Sequence, residues 1–191
     1  MRKLKLQVQM TVDGFIGGPL GEMDWMISTW SEDVNQYVTA LTEPVDTILL
    51  GRKLAQGFIP HWKGIAEKEA PEHYSRKFVE TPKIVFTKSL ENSEWEYTTL
   101  AKGDLTEEVN AVKAREGGDV IVYGGGSFVS ALIREGLIDE FHLFVNPALL
   151  GDGMPIFREL KERQALHLKE SRSFDCGIVL LCYELVNTNP L

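Results

Sequence analysis

The sequence has few cysteines and no apolar run of membrane length. Two cysteines, Cys176 and Cys182, occur in 191 residues, and their spacing forms neither a CxxC pair nor a disulfide framework. No apolar stretch approaches the ~20 residues that a membrane-spanning helix requires. The N-terminal MRKLKLQVQM alternates like a strand and lacks the apolar core of a signal peptide. We therefore expect a cytoplasmic protein with free thiols and no membrane partner.

An excess of basic residues is also absent. The chain carries 28 acidic residues against 20 lysines and arginines, for a formal net charge of −8. Because a nucleic-acid surface needs clustered cations to neutralise phosphates, nucleic acid is excluded as the main partner, although a local cluster can still bind a small anion. The histidines, His61, His73, His142 and His167, show no metal-ligand spacing, so the sequence calls for no metal.

What the sequence does contain is an alternation of strand and helix patterns. A hydrophobic content of 43% suits one domain over residues 1–191. Strand and helix alternate through the first three quarters, which predicts an α/β fold with a mostly parallel sheet and helices on both faces. The last three strands follow one another without helices, which predicts an antiparallel edge.

The element boundaries follow from periodicity and from capping residues. Thr29 and Glu32 are spaced like a capping box, and Asp104 with Glu107 predicts another helix start. Predicted strands are Leu4–Val12, Thr47–Leu50, Lys83–Thr87, Tyr97–Leu100, Asp119–Tyr123, Phe141–Val145, Leu166–Arg172 and Ile178–Leu185. Predicted helices are Glu32–Leu41, Lys53–Phe58, His73–Val79, a segment from Asp104 to Glu116, and Ser127–Glu135.

Three consecutive glycines, Gly124, Gly125 and Gly126, separate a predicted strand from a helix that opens with Ser127. Glycine inside either element costs roughly 0.5–1 kcal/mol, so three together need a reason. Bare N–H groups at a helix N-terminus attract anions, and glycine lets a pyrophosphate approach closely. A tight strand-to-helix turn is the alternative. No GK[ST] follows as in a P-loop, and Val129 fills the third glycine position of a Rossmann fingerprint.

Two further loops at the same predicted sheet edge offer groups that suit phosphate. In α/β sheets, ligands bind at the carboxyl ends of the strands. Cations and hydroxyls there fit a phosphate, although surface cations and a polar turn are the plainer alternatives. Three neighbouring loops of this kind predict an extended ligand with more than one phosphate. The residues are Gly51, Arg52 and Lys53 after the second strand, and Thr87, Lys88 and Ser89 after the third.

The loop after the first strand, TVDGFIGGPLGEMDW, has a different composition. It is glycine-rich and apolar, which suits a mobile segment that covers a flat ring and then releases it. Trp25 can stack on a heterocycle, or it can belong to the core. Asp24 can accept a hydrogen bond from a ring N–H or supply a proton, and the alternative is a solvated or helix-capping acid.

These motifs together resemble the dihydrofolate reductase superfamily, in the branch of the C-terminal reductase domain of the riboflavin biosynthesis protein RibD. The resemblance runs from Leu4 to Leu185 and rests on MTVDGFIG, LLGRKLAQGF, IVFTKSL and VYGGGSFVSALIREGLIDEFHLFVNPALLGDGMPIF. It implies a dihydrofolate-reductase-like three-layer sandwich, an NADPH cofactor, a homodimer, and hydride transfer to a small pterin-like or ribosylamino-pyrimidine-like substrate.

The resemblance also implies residue roles. A non-proline cis peptide between adjacent glycines would pass close to the pyrophosphate, and the apolar C-terminal strands would form the dimer interface. Met10 would lie beside the nicotinamide and contact the substrate. From the chemistry of the first loop itself, we expect Trp25 to contact the substrate, and Asp24 to contact it as the catalytic acid if any acid does so. The implied cofactor residues are Ile16, Gly17, Gly51, Arg52, Lys53, Thr87, Lys88, Ser89, Gly124, Gly125, Gly126, Ser127 and Phe128.

Two other functions remain open. Folate reductases carry a carboxylate a few residues beyond the loop tryptophan, where this chain has Ser28, Thr29 and Trp30, and this departure disfavours true dihydrofolate reduction. The HxE…PCxxC signature of a fused zinc deaminase is missing as well. A catalytically silent dinucleotide-binding protein is the third possibility.

Overall fold

A computed structural model describes residues 2–71 and 73–186. The strands form one eight-stranded sheet in the order β4-β3-β2-β5-β1-β6-β8-β7. The strands are β1 (Leu4–Thr11), β2 (Val45–Gly51), β3 (Lys83–Phe86), β4 (Thr98–Ala101), β5 (Asp119–Tyr123), β6 (Glu140–Asn146), β7 (Leu166–Ser173) and β8 (Val179–Leu185). The helices are α1 (Glu32–Thr42), α2 (Arg52–Ala66), α3 (Ser75–Glu80), α4 (Leu105–Lys113) and α5 (Gly126–Arg134).

The predicted fold class is confirmed. The six strands from β4 to β6 pair in parallel, whereas β8 runs antiparallel to both β6 and β7. The antiparallel pairing therefore begins between β6 and β8, because β6, the first of the three helix-free strands, pairs in parallel with β1. Because parallel strands share one carboxyl edge, the loops after β1, β2, β3 and β5 all emerge on the same side of the sheet.

Side-chain alternation along the central strand β1 separates two helical layers. Leu4, Leu6 and Val8 are buried in a cluster with residues of α4 and α5. On the other face, α2 and α3 pack over β2 in a second cluster, and α1 packs over β6 and β8 in a third. Gln7 and Gln9 point to that second face, where the apolar filling is incomplete.

Helix α2 is longer than predicted. It was expected to end at Phe58, before a polar loop, but it continues through Pro60 to Ala66. Proline removes one helical hydrogen bond at a cost of ~3 kcal/mol in a helix interior. Burial offsets this cost, because Phe58 and Trp62, one helical turn apart, both pack against Phe78 of α3. A single-residue helix breaker was therefore outweighed by tertiary contacts.

Two predicted helix boundaries also need correction. The capping box of Thr29 and Glu32 is wrong, because Ser31 is the N-cap of α1 and its hydroxyl donates to the carboxylate of Asp33. Helix α4 ends at Lys113 rather than Glu116. Its predicted start is confirmed, since the Asp104 carboxylate accepts hydrogen bonds from the backbone N–H groups of the second and third residues of the helix, at 2.9 and 3.1 Å.

Candidate functional site

A cleft of about 2110 Å³ opens between α1 and α2, above the carboxyl ends of β1, β2 and β5. It reaches from the glycine run to the polar face of β1. Twelve of the residues singled out from the sequence line it: Ile16, Gly17, Gly51, Arg52, Lys53, Thr87, Lys88, Gly124, Gly125, Gly126, Ser127 and Phe128. The predicted convergence of four loops at one sheet edge is therefore what the fold produces.

The glycine run forms an uncapped helix N-terminus. Gly125 is the N-cap of α5 with φ 86° and ψ 88°, and no side chain caps the helix or places an acid in its first turn. Its first N–H groups are therefore free for an external acceptor. A Cβ added at Gly124 would meet no atom within 4 Å, so the missing side chain leaves open space beside these donors.

The cis peptide implied for this turn is wrong. Within residues 2–71 and 73–186 every peptide bond is trans. The chain reverses direction through the positive φ of Gly125, a conformation that glycine adopts without the penalty a Cβ would bring. The glycines are still needed, but for a left-handed turn.

A second uncapped N-terminus faces the first. Helix α2 starts after Gly51 with no capping side chain and no acid in its first turn. It carries Arg52 and Lys53 there, although cations at this end are disfavoured by the helix dipole. Gly51 also has a packing role, because a Cβ at that position would lie 2.8 Å from Cβ of Phe128 on α5. This close approach brings the two helix ends together.

The polar groups of the loop after β3 are engaged in hydrogen bonds within the protein. The Thr87 hydroxyl oxygen accepts from the backbone N–H groups of Ser89 and Leu90 at 3.1 and 3.0 Å. The Lys88 ammonium donates to the carbonyls of Lys102 and Gly103 at 2.6 and 2.7 Å. The polar-turn alternative accounts for these contacts. Thr87 and Lys88 nevertheless line the cleft, whereas Ser89 does not.

The cleft is locally cationic. Among the described residues that line it, the cations Arg52, Lys53, Lys77 and Lys88 face a single carboxylate, Glu43. The whole chain has a net charge of −8. A concave surface of one sign concentrates ligands of the opposite sign, so this cleft selects anions in an otherwise acidic protein.

The glycine-rich first loop is fastened to the segment before Pro155. Ile16 donates its backbone N–H to the Met154 carbonyl, and the Met154 N–H donates to Gly17, both at 2.9 Å. The Asp13 carboxylate accepts from the N–H groups of Leu150 and Gly151. A hydrogen bond from the Thr11 hydroxyl, followed by the backbone bond from Gly151, lowers the pKa of Asp13. Ile16 and Gly17 are thereby held at the mouth of the cleft.

Three residues proposed for the substrate lie elsewhere. Met10 is buried on the opposite face of β1, in the cluster with α4 and α5. Asp24 is exposed, and Trp25 donates its ring N–H to the Glu22 carbonyl at 3.0 Å. Like Ser89, they do not line the cleft. Their roles remain predictions that this placement does not favour.

Several cleft residues escaped sequence reasoning. The end of the cleft that lies between β1 and α1 is lined by Gln7 and Gln9 of β1, and by Asn35 and Thr39 of α1. An aromatic wall, defined here as Phe58, Trp62, Tyr74 and Phe78, closes the opposite side. Two signals were available. Gln7 and Gln9 interrupt an apolar strand at alternate positions, and Phe58 and Trp62 have helical spacing.

One buried cluster outside the cleft contains metal-ligand side chains. Glu140, His142 and Cys182 lie together between β6 and β8. His142 Nε2 is 2.7 Å from Glu140, and Nδ1 is 2.8 Å from the Tyr37 hydroxyl, so both ring nitrogens are engaged. Hydrogen bonds from His142 and then Lys169 lower the pKa of Glu140 against the opposing effect of burial. The cluster is a satisfied polar network that anchors α1 to the sheet.

Comparisons with known proteins agree with this architecture. The protein YyaP of Bacillus subtilis (strain 168) is 34% identical over 184 residues, which cover 95% of this chain and 94% of YyaP. The riboflavin biosynthesis protein RibD of Corynebacterium ammoniagenes is 28% identical over 173 residues, 84% of this chain but 49% of that protein.

A solved structure from Thermotoga maritima is that of a diaminohydroxyphosphoribosylaminopyrimidine deaminase/5-amino-6-(5-phosphoribosylamino)uracil reductase. It matches with a TM-score of 0.69 at 18% identity, over 96% of this chain and 56% of that one. At this identity the likeness concerns the fold. The family model described as the RibD C-terminal domain matches residues 2–180. The chain therefore belongs to the RibD C-terminal domain family.

Proposed function

We propose that this protein is an NADPH-dependent oxidoreductase that reduces a small pyrimidine-like or pterin-like ring. The carrying observation is that two uncapped helix N-termini, those of α2 and α5, meet at one cationic cleft. Membership of the RibD C-terminal domain family supports a reductase. The Thermotoga maritima protein with a similar fold is described as a 5-amino-6-(5-phosphoribosylamino)uracil reductase.

The fit to a dinucleotide rests on the chain's own groups. Gly126 and Ser127 are the first residues of the uncapped helix α5, and the space at the neighbouring Gly124 is open, which suits a pyrophosphate. Arg52 and Lys53 add charge at the adjoining helix end. We assign Arg52, Thr87, Lys88 and Ser89 to the ribose phosphate that distinguishes NADPH from NADH. This assignment requires the Lys88 ammonium to leave its two carbonyl partners.

The remaining residues divide the work of binding and shielding. When bound, NADPH supplies a hydride to a C=N or C=O bond. Ile16 and Gly17, held by Met154, cover the place where the ring of the cofactor would lie and exclude water from it. The aromatic wall offers a flat apolar surface to a substrate ring.

The substrate roles of Met10, Asp24 and Trp25 stay in the proposal as its least supported part. Asp24→Asn is expected to lower turnover by roughly 10²-fold if the acid donates the proton in a closed form of the loop. An unchanged rate would show that Asp24 is a surface acid with no part in catalysis.

We also propose a cytoplasmic homodimer over residues 1–191. All eight residues of the edge strand β7 are exposed, among them Leu166 and Leu168, and an exposed strand edge invites pairing with a second copy. Both thiols are free, which suits a reducing compartment. No helix among the described residues is long and apolar enough to cross a membrane. Light scattering should give twice the 21.5 kDa of one chain, and a monomer mass would contradict the dimer.

The test of function is a scan for NADPH oxidation. Purified protein is mixed with NADPH and, in separate reactions, with a deaminated ribosylaminopyrimidine, dihydrofolate and simple quinones. Loss of the reduced-nicotinamide absorbance with the pyrimidine compound is the expected result. Turnover of dihydrofolate alone would make the protein a folate reductase. NADPH binding without turnover of any compound would make it a silent dinucleotide-binding protein.

A further inference from the structure

The floor of the cleft holds two glutamines whose hydrogen bonding is incomplete. Gln7 is 8% exposed, and both it and Gln9 line the cleft. Gln7 Oε1 and Gln9 Nε2 are shielded from water and have no partner among the described residues. An unpaired buried polar group costs ~1–3 kcal/mol. A central strand therefore carries two costly groups where apolar residues would have been stable.

Neighbouring contacts fix which atom of Gln9 is free. The Asn146 Oδ1 accepts from the backbone N–H of Ile27 at 3.1 Å, so its Nδ2 must donate. Nδ2 donates to Gln9 Oε1 at 2.7 Å and to the Phe144 carbonyl at 3.2 Å. Gln9 therefore presents its NH₂ group, held by a chain of contacts that begins at an unambiguous backbone donor.

Gln7 offers the complementary group beside it. Side chains at i and i+2 of a strand lie on the same face, so the Gln7 carbonyl oxygen and the Gln9 NH₂ stand next to each other. The terminal torsion of a glutamine is broad, so the Gln7 amide can turn towards a ring at little cost. Gln7 also pairs with Tyr123, directly before Gly124, which puts the amide pair next to the expected cofactor turn.

We infer that Gln7 and Gln9 are specificity-determining residues that bind the substrate ring by a neutral edge carrying a carbonyl next to an N–H, as in a lactam or imide. The ring N–H donates to Gln7 Oε1, and the Gln9 NH₂ donates to the ring carbonyl. A ring whose N–H groups are blocked by methyl groups would leave the Gln7 oxygen unpaired, and rejection of such a ring follows from that cost. The inference rests on the proposed function for the placement of substrate beside cofactor.

Two probes of one ring size separate these chemistries. Aminouracil carries the imide edge, and dimethylaminouracil is the same ring with both ring N–H groups replaced by N–CH₃. Isothermal titration of the whole protein, with NADPH binding measured separately, should show aminouracil binding at least about 10-fold tighter, the equivalent of one hydrogen bond.

Two variants and a control locate the preference. Gln7→Met keeps the size of the side chain and removes the unpaired oxygen, so it should abolish the preference while leaving the melting temperature equal or higher. Gln7→Glu keeps an acceptor oxygen for the ring N–H and should retain the preference for aminouracil. The control Gln36→Met changes an exposed glutamine of α1 that does not line the cleft, and it should preserve wild-type binding. A purely structural Gln7 would instead lose stability on Gln7→Met.

The outcomes separate this inference from the proposed function. Equal binding of the two rings, or an unchanged preference in a folded Gln7→Met protein, would overturn the amide assignment even if NADPH binds. Failure of NADPH to bind would overturn the proposed function, whatever the ring titrations show. A preference for aminouracil that disappears in Gln7→Met and persists in Gln36→Met supports the assignment.

Discussion

Among the helices that begin at the carboxyl edge of the sheet, α4 differs from α2 and α5 at its N-terminus. At α4, Asp104 caps two backbone N–H groups, and Glu107 and Glu108 place acids in the first turn. At α2 and α5 no side chain caps the helix, and neither has an acid in its first turn. The chain thus supplies the negative charge itself at α4, and omits it at the two helices that open on the cleft.

The difference in capping indicates which helix N-termini are available to a ligand. Uncapped N-termini leave donors unsatisfied, and the cations at α2 add repulsion from the helix dipole. A sequence that can place an aspartate at one helix start can place it at the others. We attribute its absence at the two adjoining starts to the anionic ligand of the proposed function, which would take the place of the cap.

The largest expected effect concerns the left-handed turn at α5. Gly125→Ala places a Cβ at φ 86°, which should cost about 1–3 kcal/mol of unfolding free energy and weaken NADPH binding. Gly64→Ala is the matched control, because Gly64 lies inside α2 with no atom within 4 Å of the added Cβ. That change should stabilise by roughly 0.5–1 kcal/mol. Urea denaturation of both variants measures the contrast, and equal effects would contradict the strained turn.

Removing the cap of α4 should affect stability alone. Asp104→Ala leaves the N–H groups of Thr106 and Glu107 without their acceptor, at a cost of about 1 kcal/mol. NADPH affinity should stay at the wild-type value, because Asp104 does not line the cleft. A large loss of NADPH affinity would show that the α4 terminus also serves the ligand, and the comparison between the helices would break down.

Lys83 lies at the C-terminus of α3, where its positive charge satisfies helix carbonyls, and its titration makes the stability of the protein depend on pH. Lys83 donates to the carbonyls of Val79 and Thr81, at the end of α3, and burial lowers its pKa from 10.5 to about 8. Between these values the unfolded chain binds the extra proton, so the free energy of unfolding rises with pH.

The rise should be on the order of 1 kcal/mol between about pH 8 and 9 in the wild type. This window lies below the range where Cys182 matters, because burial raises the pKa of that thiol from 9.0 to about 11 and stability then falls with pH. Denaturant titrations at several pH values should show a clearly smaller rise for Lys83→Met; the rise that remains comes from Cys176, whose lowered pKa acts in the same direction. The exposed-site control Lys68→Met should keep the full rise, and an equal rise in both variants would assign it to another group.

The smallest expected effect is the change in stability caused by replacing Lys53, and the direction of that change is what tests the ligand role. Lys53→Gln removes a cation from the positive end of α2 and should stabilise the ligand-free protein by about 0.3–1 kcal/mol at low salt. Lys63→Gln removes a cation from the last turn of the same helix and should destabilise it by a similar amount. Thermal melts at low and high salt compare the two. Destabilisation by Lys53→Gln would mean that Lys53 has a structural partner, contrary to a ligand role.

The sequence predicts the loops at the carboxyl edge of the sheet, but it does not predict the aromatic wall on the other side of the cleft. The loops after β1, β2, β3 and β5 could be placed because parallel topology brings strand ends together. The aromatic wall could not, because the sequence predicts that the helix ends at Phe58, whereas the contacts of Trp62 with Phe78 hold a helix that continues beyond Pro60.

The glutamines show a second limit. Gln7 and Gln9 are visible as polar residues in β1, but the free atom of Gln9 depends on Asn146, which is far away in sequence and adjacent in the sheet. Met10 illustrates the converse, because a resemblance assigned it to the ligand and strand alternation directs it to the opposite face. Long-range pairing decides both cases, and periodicity alone does not reveal it.

The most direct test of the dinucleotide cleft compares NADPH with NADH in thermal melts. At a hundred times its dissociation constant, NADPH should add ~2.7 kcal/mol and raise the melting temperature by about 5–10 °C. NADH at the same concentration should raise it far less, because it lacks the phosphate that Arg52, Thr87 and Lys88 would bind. Arg52→Ala should shrink the NADPH shift, whereas the exposed-site control Arg158→Ala, outside the cleft, should not. Equal shifts with both cofactors would contradict the phosphate assignment, and no shift with either would contradict the dinucleotide cleft itself.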